Sequence, residues 1–165
     1  MAADIDNETR TMDEHNHNEL EGAGRHPNPR FLQHIRFPAH TQHLSRCDGS
    51  ATGIGSCGDR VTIRIAVDRE CIRAIFQNPV GCLFTTACAS AVSVLAQSRT
   101  LEKALEIQPE DVETELGGLP EDHRHCARLA VNTLGEAIAD YYRQALTNRE
   151  KEIPPQTKGN PHAHL

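Results

Sequence analysis

The sequence contains no tryptophan, and aromatic side chains make up only 4% of its 165 residues. Its core must therefore be mainly aliphatic. No apolar run approaches the ~20 residues of a membrane span. The start of the chain has neither the basic residues and apolar run of a secretory signal nor the Arg-rich, acid-poor make-up of a mitochondrial presequence, so a cytoplasmic chain is expected. Positive charge is also short. Lys and Arg number 17 against 23 Asp and Glu, a net charge of -6, which argues against nucleic acid or an anionic membrane as partner. None of the 6 cysteines forms a C-x-x-C pair. That argues against a closed zinc knuckle or a thioredoxin-type dithiol. In a cytosolic chain, that many cysteines point to metal or redox chemistry rather than to disulfides.

What is present suits one domain between polar ends. Residues 1–29 read as a disordered tail that holds His15, His17 and His26. Residues 148–165, with His162 and His164, read as a flexible tail. The domain is expected over residues 30–147. A short helix is expected over Phe31–Arg36, before Pro38. Asp48-Gly49 reads as a turn, and Gly53 and Gly55 make the next stretch a weak strand or loop. Val61, Ile63, Ile65 and Val67 alternate with more polar residues, as in a half-buried strand. Asp68-Arg69-Glu70 turns without the usual Gly or Asn, and Ile72, Ala74 and Phe76 form the antiparallel partner. Asn78-Pro79 should stop that strand.

A helix is expected soon after Cys82, with Thr85 or Thr86 as its N-cap. Cys88, Ala91, Val92 and Leu95 form its apolar stripe, and the small residues Ala87–Ala91 let other elements approach closely. Two short helical pieces lie near residues 100–105 and 110–112, and Gly117-Gly118-Leu119-Pro120 breaks the chain. The last helix is the clearest element, with Cys126, Leu129, Ala130, Thr133, Leu134, Ala137, Ile138 and Tyr141 on one face. There is no internal repeat.

Three stretches carry chemistry: Ser56-Cys57-Gly58-Asp59, Gly81-Cys82 and His125-Cys126. Together they offer three sulfurs, one carboxylate and one imidazole, a ligand set suited to zinc, iron or an iron–sulfur cluster. Each lies where a regular element begins or ends, so a packed fold can bring them to one edge. A turn at Gly58 lets Asp59 face the same ion as Cys57. A helix start at Cys82 favours its thiolate. Cys126 also continues an apolar stripe, so a plain core thiol competes with a ligand there. Scattered single ligands, one of them a carboxylate, suggest an open and exchangeable site. Cys71 and Cys88 read as structural, Cys47 as a loop residue, and His34 as a packing residue.

Order, spacing and flanking residues resemble the U-type iron–sulfur cluster scaffold family, the IscU/NifU N-terminal domain. The resemblance runs from His34 to Tyr142. It rests on Asp48-Gly49, Cys57-Gly58-Asp59, Phe76 with Gly81-Cys82, Leu116-Gly117-Gly118-Leu119-Pro120 through His125-Cys126-Ala127-Arg128-Leu129-Ala130, and Ala137-Ile138-Ala139-Asp140-Tyr141. It implies an α+β fold: a small three-stranded antiparallel sheet, helices packed on one face and a long C-terminal helix. It implies one exposed site of Cys57, Cys82 and Cys126, with Asp59 and His125 beside them. It implies sulfur received as persulfide from a cysteine desulfurase, with Cys126 at the acceptor position. Ferrous iron, electrons from a ferredoxin-type donor, a labile [2Fe-2S] cluster and its transfer to acceptor apo-proteins complete the scheme, and Zn2+ can occupy the same site. A homodimer is open to such a scaffold. The protein is then a carrier, not an enzyme.

Two segments depart from the family pattern. Phe37–Gln42 keeps only the Pro of an early Asn-Pro-x-Asn-x-Gly. Leu119-Pro120-Glu121-Asp122-His123 keeps only the Leu-Pro of the Leu-Pro-Pro-Val-Lys segment by which Hsp70/J-protein chaperones recognise this branch. The rival from the same chemistry is a zinc-bound sulfur-transfer protein that accepts persulfide and builds no cluster. A zinc hydrolase or deaminase would pair clustered ligands with a Glu general base, as in His-x-Glu or C-x-x-C signatures; there is no C-x-x-C, and the one His-x-Glu, His17-Asn18-Glu19, lies in the polar tail, away from the clustered cysteines. A metal-free structural protein is the third rival.

Overall fold

The computed structural model describes residues 28–152. The polar ends read from the sequence lie mostly outside the described residues. Helix α1, Pro29–Arg36, begins on Asn28, whose side-chain oxygen accepts from Arg30 N at 2.9 Å. Strands β1 Gly49–Ile54, β2 Arg60–Asp68 and β3 Cys71–Val80 follow. They form one antiparallel sheet in the order β1-β2-β3. Helices α2 Leu83–Ala96, α3 Leu101–Leu105, α4 Pro109–Leu116 and α5 Arg124–Glu152 complete the chain, with a 3-10 turn at Glu121–His123 before α5. The fold is the expected α+β arrangement. Helix α5 continues past residue 147 to Glu152, beyond the domain end read from the sequence.

The alternation along β2 sets the layers. Val61, Ile63, Ile65 and Val67 are buried, while Thr62, Arg64 and Ala66 face the other side. Helices α2 and α5 cover the buried face. Helix α2 lies at the centre of the helical layer, in contact with the sheet, α1, α4 and α5. Its Ala87, Cys88, Ala89 and Ala91 are fully buried, as their small size allows. Burial raises the Cys88 thiol pKa and keeps it inert. His34 is also a packing residue: its Nδ1 lies 2.8 Å from Ser90 Oγ.

Several local expectations change. Glycines make β1 look weak, yet it pairs with β2 along its whole length. The reason lies in α5. A Cβ on Gly49 would meet the Ala137 carbonyl, and one on Gly53 would meet the Thr133 hydroxyl. The missing side chains let the long helix lie directly on the strand. Gly49 thus opens β1 instead of completing a turn. Asp140 adds a tether, its Oδ2 accepting from Ser50 N at 3.0 Å. Asn78-Pro79 does not stop β3, which runs to Val80 with Pro79 opposite Val61. β3 is an edge strand, where a residue without an N–H is tolerated.

The β2–β3 turn uses Arg69 and Glu70 with φ of 50° and 59°, both left-handed. A two-residue hairpin loop of this kind matches strand twist, and Gly or Asn normally fills it. The Glu70 carboxylate is held in return by the Tyr141 and Tyr142 hydroxyls, each at 3.2 Å. Neither Thr85 nor Thr86 is the N-cap of α2; Cys82 is. The Thr85 hydroxyl is committed elsewhere, as described below.

Two predictions follow from this packing. Gly53→Ala should lower stability by about 1–3 kcal/mol, the usual range for overfilling a packed contact. Urea unfolding midpoints measure it, and an unchanged midpoint would mean that β1 does not rest on α5. Arg69→Gly should raise stability by on the order of 1 kcal/mol by relieving a left-handed non-glycine residue. A lower midpoint in that variant would contradict the turn geometry.

Candidate metal centre

Three elements meet at one end of the sheet: the β1–β2 loop, the start of α2 and the start of α5. The β1–β2 loop is a tight turn. Gly58 N donates to Gly55 O at 3.0 Å, and Gly55 N donates to Asp59 O at 2.8 Å. Cys57 sits at its exposed tip. Asp59 points from the loop to α2. Its Oδ2 accepts from Cys82 N at 3.2 Å and from the Thr85 hydroxyl at 2.6 Å. Asp59 therefore satisfies, from another element, the N–H of the N-cap residue Cys82 and ties the loop to the first turn of α2. Gly81 makes the approach possible, since a Cβ there would overlap the Asp59 carboxylate.

Burial acts to raise the Asp59 pKa, but hydrogen bonds from Thr85, from Cys82 and from the Cys57 side chain outweigh it and leave it below the usual carboxylate range. Asp59 is thus held in its ionised form. Cys82 is half-buried, and its sulfur lies 3.6 Å from Thr85 Oγ1. A hydrogen bond with Cys126, helped by Thr85 and opposed by burial and by the Asp59 carboxylate, brings the Cys82 thiol down to about 6. Its place at the first turn of a 14-residue helix favours the thiolate in the same sense. Cys126 moves the other way. The same hydrogen bond and then burial push it up, so it keeps its proton.

His125 completes the line. Its Nδ1 lies 2.8 Å from the Asp122 carbonyl, and its Nε2 lies 3.5 Å from Cys126 Sγ. A carbonyl oxygen can only accept, so Nδ1 donates, and in the neutral ring Nε2 carries the lone pair. Two acceptors, the Cys82 sulfur and His125 Nε2, thus face the single Cys126 proton. Of the five residues singled out in the sequence, Asp59, Cys82, Cys126 and His125 follow one another as neighbours, while Cys57 stands at the exposed loop tip.

The site differs from expectation in exposure. Cys57 is open, but Cys126 is 0% exposed and belongs to the hydrophobic core. The apolar stripe and the candidate ligand position coincide in one residue. A residue missed in the sequence is His123. One of its ring nitrogens and the sulfurs of Cys82 and Cys126 all lie within 4.8 Å of one another, the one such group of three among the described residues. Its ring stacks on Phe84 with centroids 3.7 Å apart and 12° between planes. The available signal was its place two residues before His125 in His123-Arg124-His125-Cys126.

The donor set of two neighbouring sulfurs, imidazole nitrogens and a carboxylate suits a thiophilic borderline cation such as zinc or iron. The pKa order generates a prediction. Iodoacetamide alkylation of Cys82, mapped by mass spectrometry, should rise with pH about a midpoint near 6. Deprotonation increases with pH, so Cys82 should already be reactive at neutrality. Cys126→Ala removes the hydrogen-bond donor and should move the midpoint toward that of an ordinary thiol. A Cys82 midpoint near 8.5, the free thiol value, would contradict this arrangement.

A family model described as the NifU-like N terminal domain matches residues 28–148. An iron–sulfur cluster assembly scaffold protein, IscU 1 of Archaeoglobus fulgidus, is 33% identical over 143 residues, covering 82% of this chain and 94% of that protein. A scaffold protein IscU of Aquifex aeolicus is 29% identical over 131 residues, covering 77% of this chain and 83% of that protein. Among solved structures, the N-terminal part of a nitrogen-fixing NifU-like protein from Brucella abortus superposes with a TM-score of 0.56 at 18% identity. That match covers 70% of this chain and 94% of the other, and it speaks for the fold alone. With the family model spanning most of the chain and the archaeal relative aligned almost end to end, this chain belongs to the NifU-like N-terminal domain family.

Proposed function

We propose that the chain is a scaffold for iron–sulfur cluster assembly. In this reading it accepts persulfide sulfur from a cysteine desulfurase, takes up ferrous iron, assembles a labile [2Fe-2S] cluster and passes it to acceptor apo-proteins. The observation that carries the reading is the Cys82–Cys126 pair, a thiolate beside a protonated thiol with imidazoles on one side and Asp59 on the other. Such a pair releases one proton when a metal displaces it, and it offers two sulfurs to one ion. The exposed Cys57 gives a further sulfur at the rim.

The cluster is cargo, so its chemistry must balance. A scaffold thiolate attacks the outer sulfur of the desulfurase persulfide. A new S–S bond forms, the old one breaks, and the desulfurase thiolate leaves. Each delivered sulfur takes two electrons to become sulfide. For a cluster of two ferric ions and two sulfides, two ferrous ions give one electron each. A ferredoxin-type donor gives the other two. We assign persulfide acceptance to Cys126, as the resemblance implies; its proton must first pass to His125 Nε2, 3.5 Å away, so that Cys126 attacks as the thiolate. Its burial means that the Glu121–His123 turn and the start of α5 must open first.

Cys57, Asp59, Cys82, His125 and Cys126 then hold the cargo. Asp59 is the hardest donor of the five and is already engaged by Thr85 and Cys82 N, so it is a weak ligand, suited to release. The protein acts as reactant and carrier, not as an enzyme, and we place it in the cytoplasm. No helix among the described residues is long and apolar enough to cross a membrane. Chaperone release by an Hsp70/J-protein pair would have to use the altered Leu119–His123 segment. A zinc-bound sulfur-transfer protein is the second reading. The compact group of Cys82, His123 and Cys126, sized for a single ion, is the observation in its favour.

The test is anaerobic assembly from ferrous iron, cysteine and a cysteine desulfurase, followed by visible absorption and by iron and sulfide counts per chain. The wild type should give a cluster spectrum with equal iron and sulfide. Cys82→Ser and Cys126→Ser should each lower cluster yield at least about tenfold. A protein that carries persulfide and zinc but never forms a cluster would establish the second reading instead.

A further inference from the structure

His123 lies in a segment whose interest in the sequence was its departure from the family pattern. We propose that His123 is itself a metal ligand, holding an incoming divalent ion together with Cys82 and Cys126 at an inner position of the site. The proposal rests on the scaffold reading only in treating the ion as cargo; binding of the ion needs no cluster.

Three observations converge. The donor atoms of Cys82, His123 and Cys126 lie within 4.8 Å of one another. Donors around a tetrahedral ion at metal distances of about 2.0–2.3 Å sit roughly 3.3–3.8 Å apart. Closing the remaining ångström takes small side-chain rotations. The imidazole is also already oriented. It stacks on Phe84, and Phe84 packs against Phe31 with centroids 5.1 Å apart. Phe84 and Phe31 are 7% and 5% exposed, so the platform beneath the imidazole is part of the core.

The third observation is a buried atom without a partner. His123 Nδ1 is buried and has no hydrogen-bond partner among the described residues. Such an atom costs about 1–3 kcal/mol unless something satisfies it. Nε2 faces the Asp122 carboxylate at 3.8 Å. A carboxylate behind one ring nitrogen and a metal before the other is a recurring ligand geometry. Nδ1 is therefore the nitrogen we assign to the ion.

His125 differs from it. Its Nδ1 is committed to the Asp122 carbonyl, and its Nε2 reaches Cys126 from the other ring edge. The site thus has two nitrogens for one nitrogen position. An ion seated on His123 leaves His125 free for a second ion or for a partner that comes to collect.

The experiment uses cobalt(II) alone as probe, titrated anaerobically into the full chain and read by absorption. Wild type should show thiolate-to-cobalt charge transfer and the ligand-field bands of tetrahedral cobalt. His123→Phe keeps the stack on Phe84 and removes the nitrogen. It should weaken cobalt binding at least tenfold and shift the ligand-field bands while charge transfer persists. Unchanged affinity and bands in that variant would overturn the proposal. Should His123→Phe fold poorly by circular dichroism, ring-nitrogen correlation spectra of 15N-labelled wild type with zinc decide the matter. A shift of the His123 Nδ1 signal supports ligation, and an unmoved signal overturns it. Failure of the wild type to build a cluster, with cobalt binding still dependent on His123, would sink the scaffold reading and leave this inference standing.

Discussion

The site depends on one carboxylate. Asp59, on the loop between β1 and β2, accepts from the N–H of Cys82, the N-cap of α2, and from the Thr85 hydroxyl. This ties the loop that carries Cys57 to the helix that begins at Cys82. Cys82 then lies against Cys126 at the start of α5. Because Gly81 has no side chain, the approach is close. The electrostatics come from the neighbours of each group, and the Asp59 carboxylate itself opposes a thiolate at Cys82. Asp59 is held ionised by its donors, Cys82 becomes the thiolate beside its Cys126 partner, and Cys126 keeps the proton. Cap, spacing and protonation state thus come from one arrangement.

A second constraint, the seating of α5 on β1, fixes the other wall. Two glycines facing Ala137 and Thr133 let the helix lie on bare strand backbone. The helix start then falls at the end of the sheet where the β1–β2 loop also lies. Cys126 is part of the core for this reason: its backbone belongs to the best-packed helix. A thiol rooted in the core is held firmly in place beside Cys82.

Much of this was legible in the chain. Alternation gave β2 and β3, and the 3.6-residue stripe gave α5 with Cys126 on its buried face. The five ligand candidates could be chosen by residue type and by position at element ends; two of them, Cys82 and Cys126, share the compact donor group with His123. What was not legible depends on distant partners. β1 looked weak because the reason for its glycines lies in α5. Pro79 looked like a stop because edge position is a property of the sheet. Thr85 looked like a cap because its true partner, Asp59, is in another element. His123 was passed over because a histidine beside charged residues resembles surface, and only the stack on Phe84 turns it inward. Cys126 lies on an apolar stripe, and the fold puts it in the core with its sulfur beside that of Cys82.

The most direct test of the account is iron-edge X-ray absorption on the full chain after anaerobic loading with iron and sulfide. The account predicts a first shell dominated by sulfur, with a smaller nitrogen or oxygen contribution and an iron neighbour beyond it. A shell of nitrogen and oxygen alone, with neither sulfur nor a second iron, would show that the Cys82–Cys126 pair does not hold the metal and would contradict the central claim.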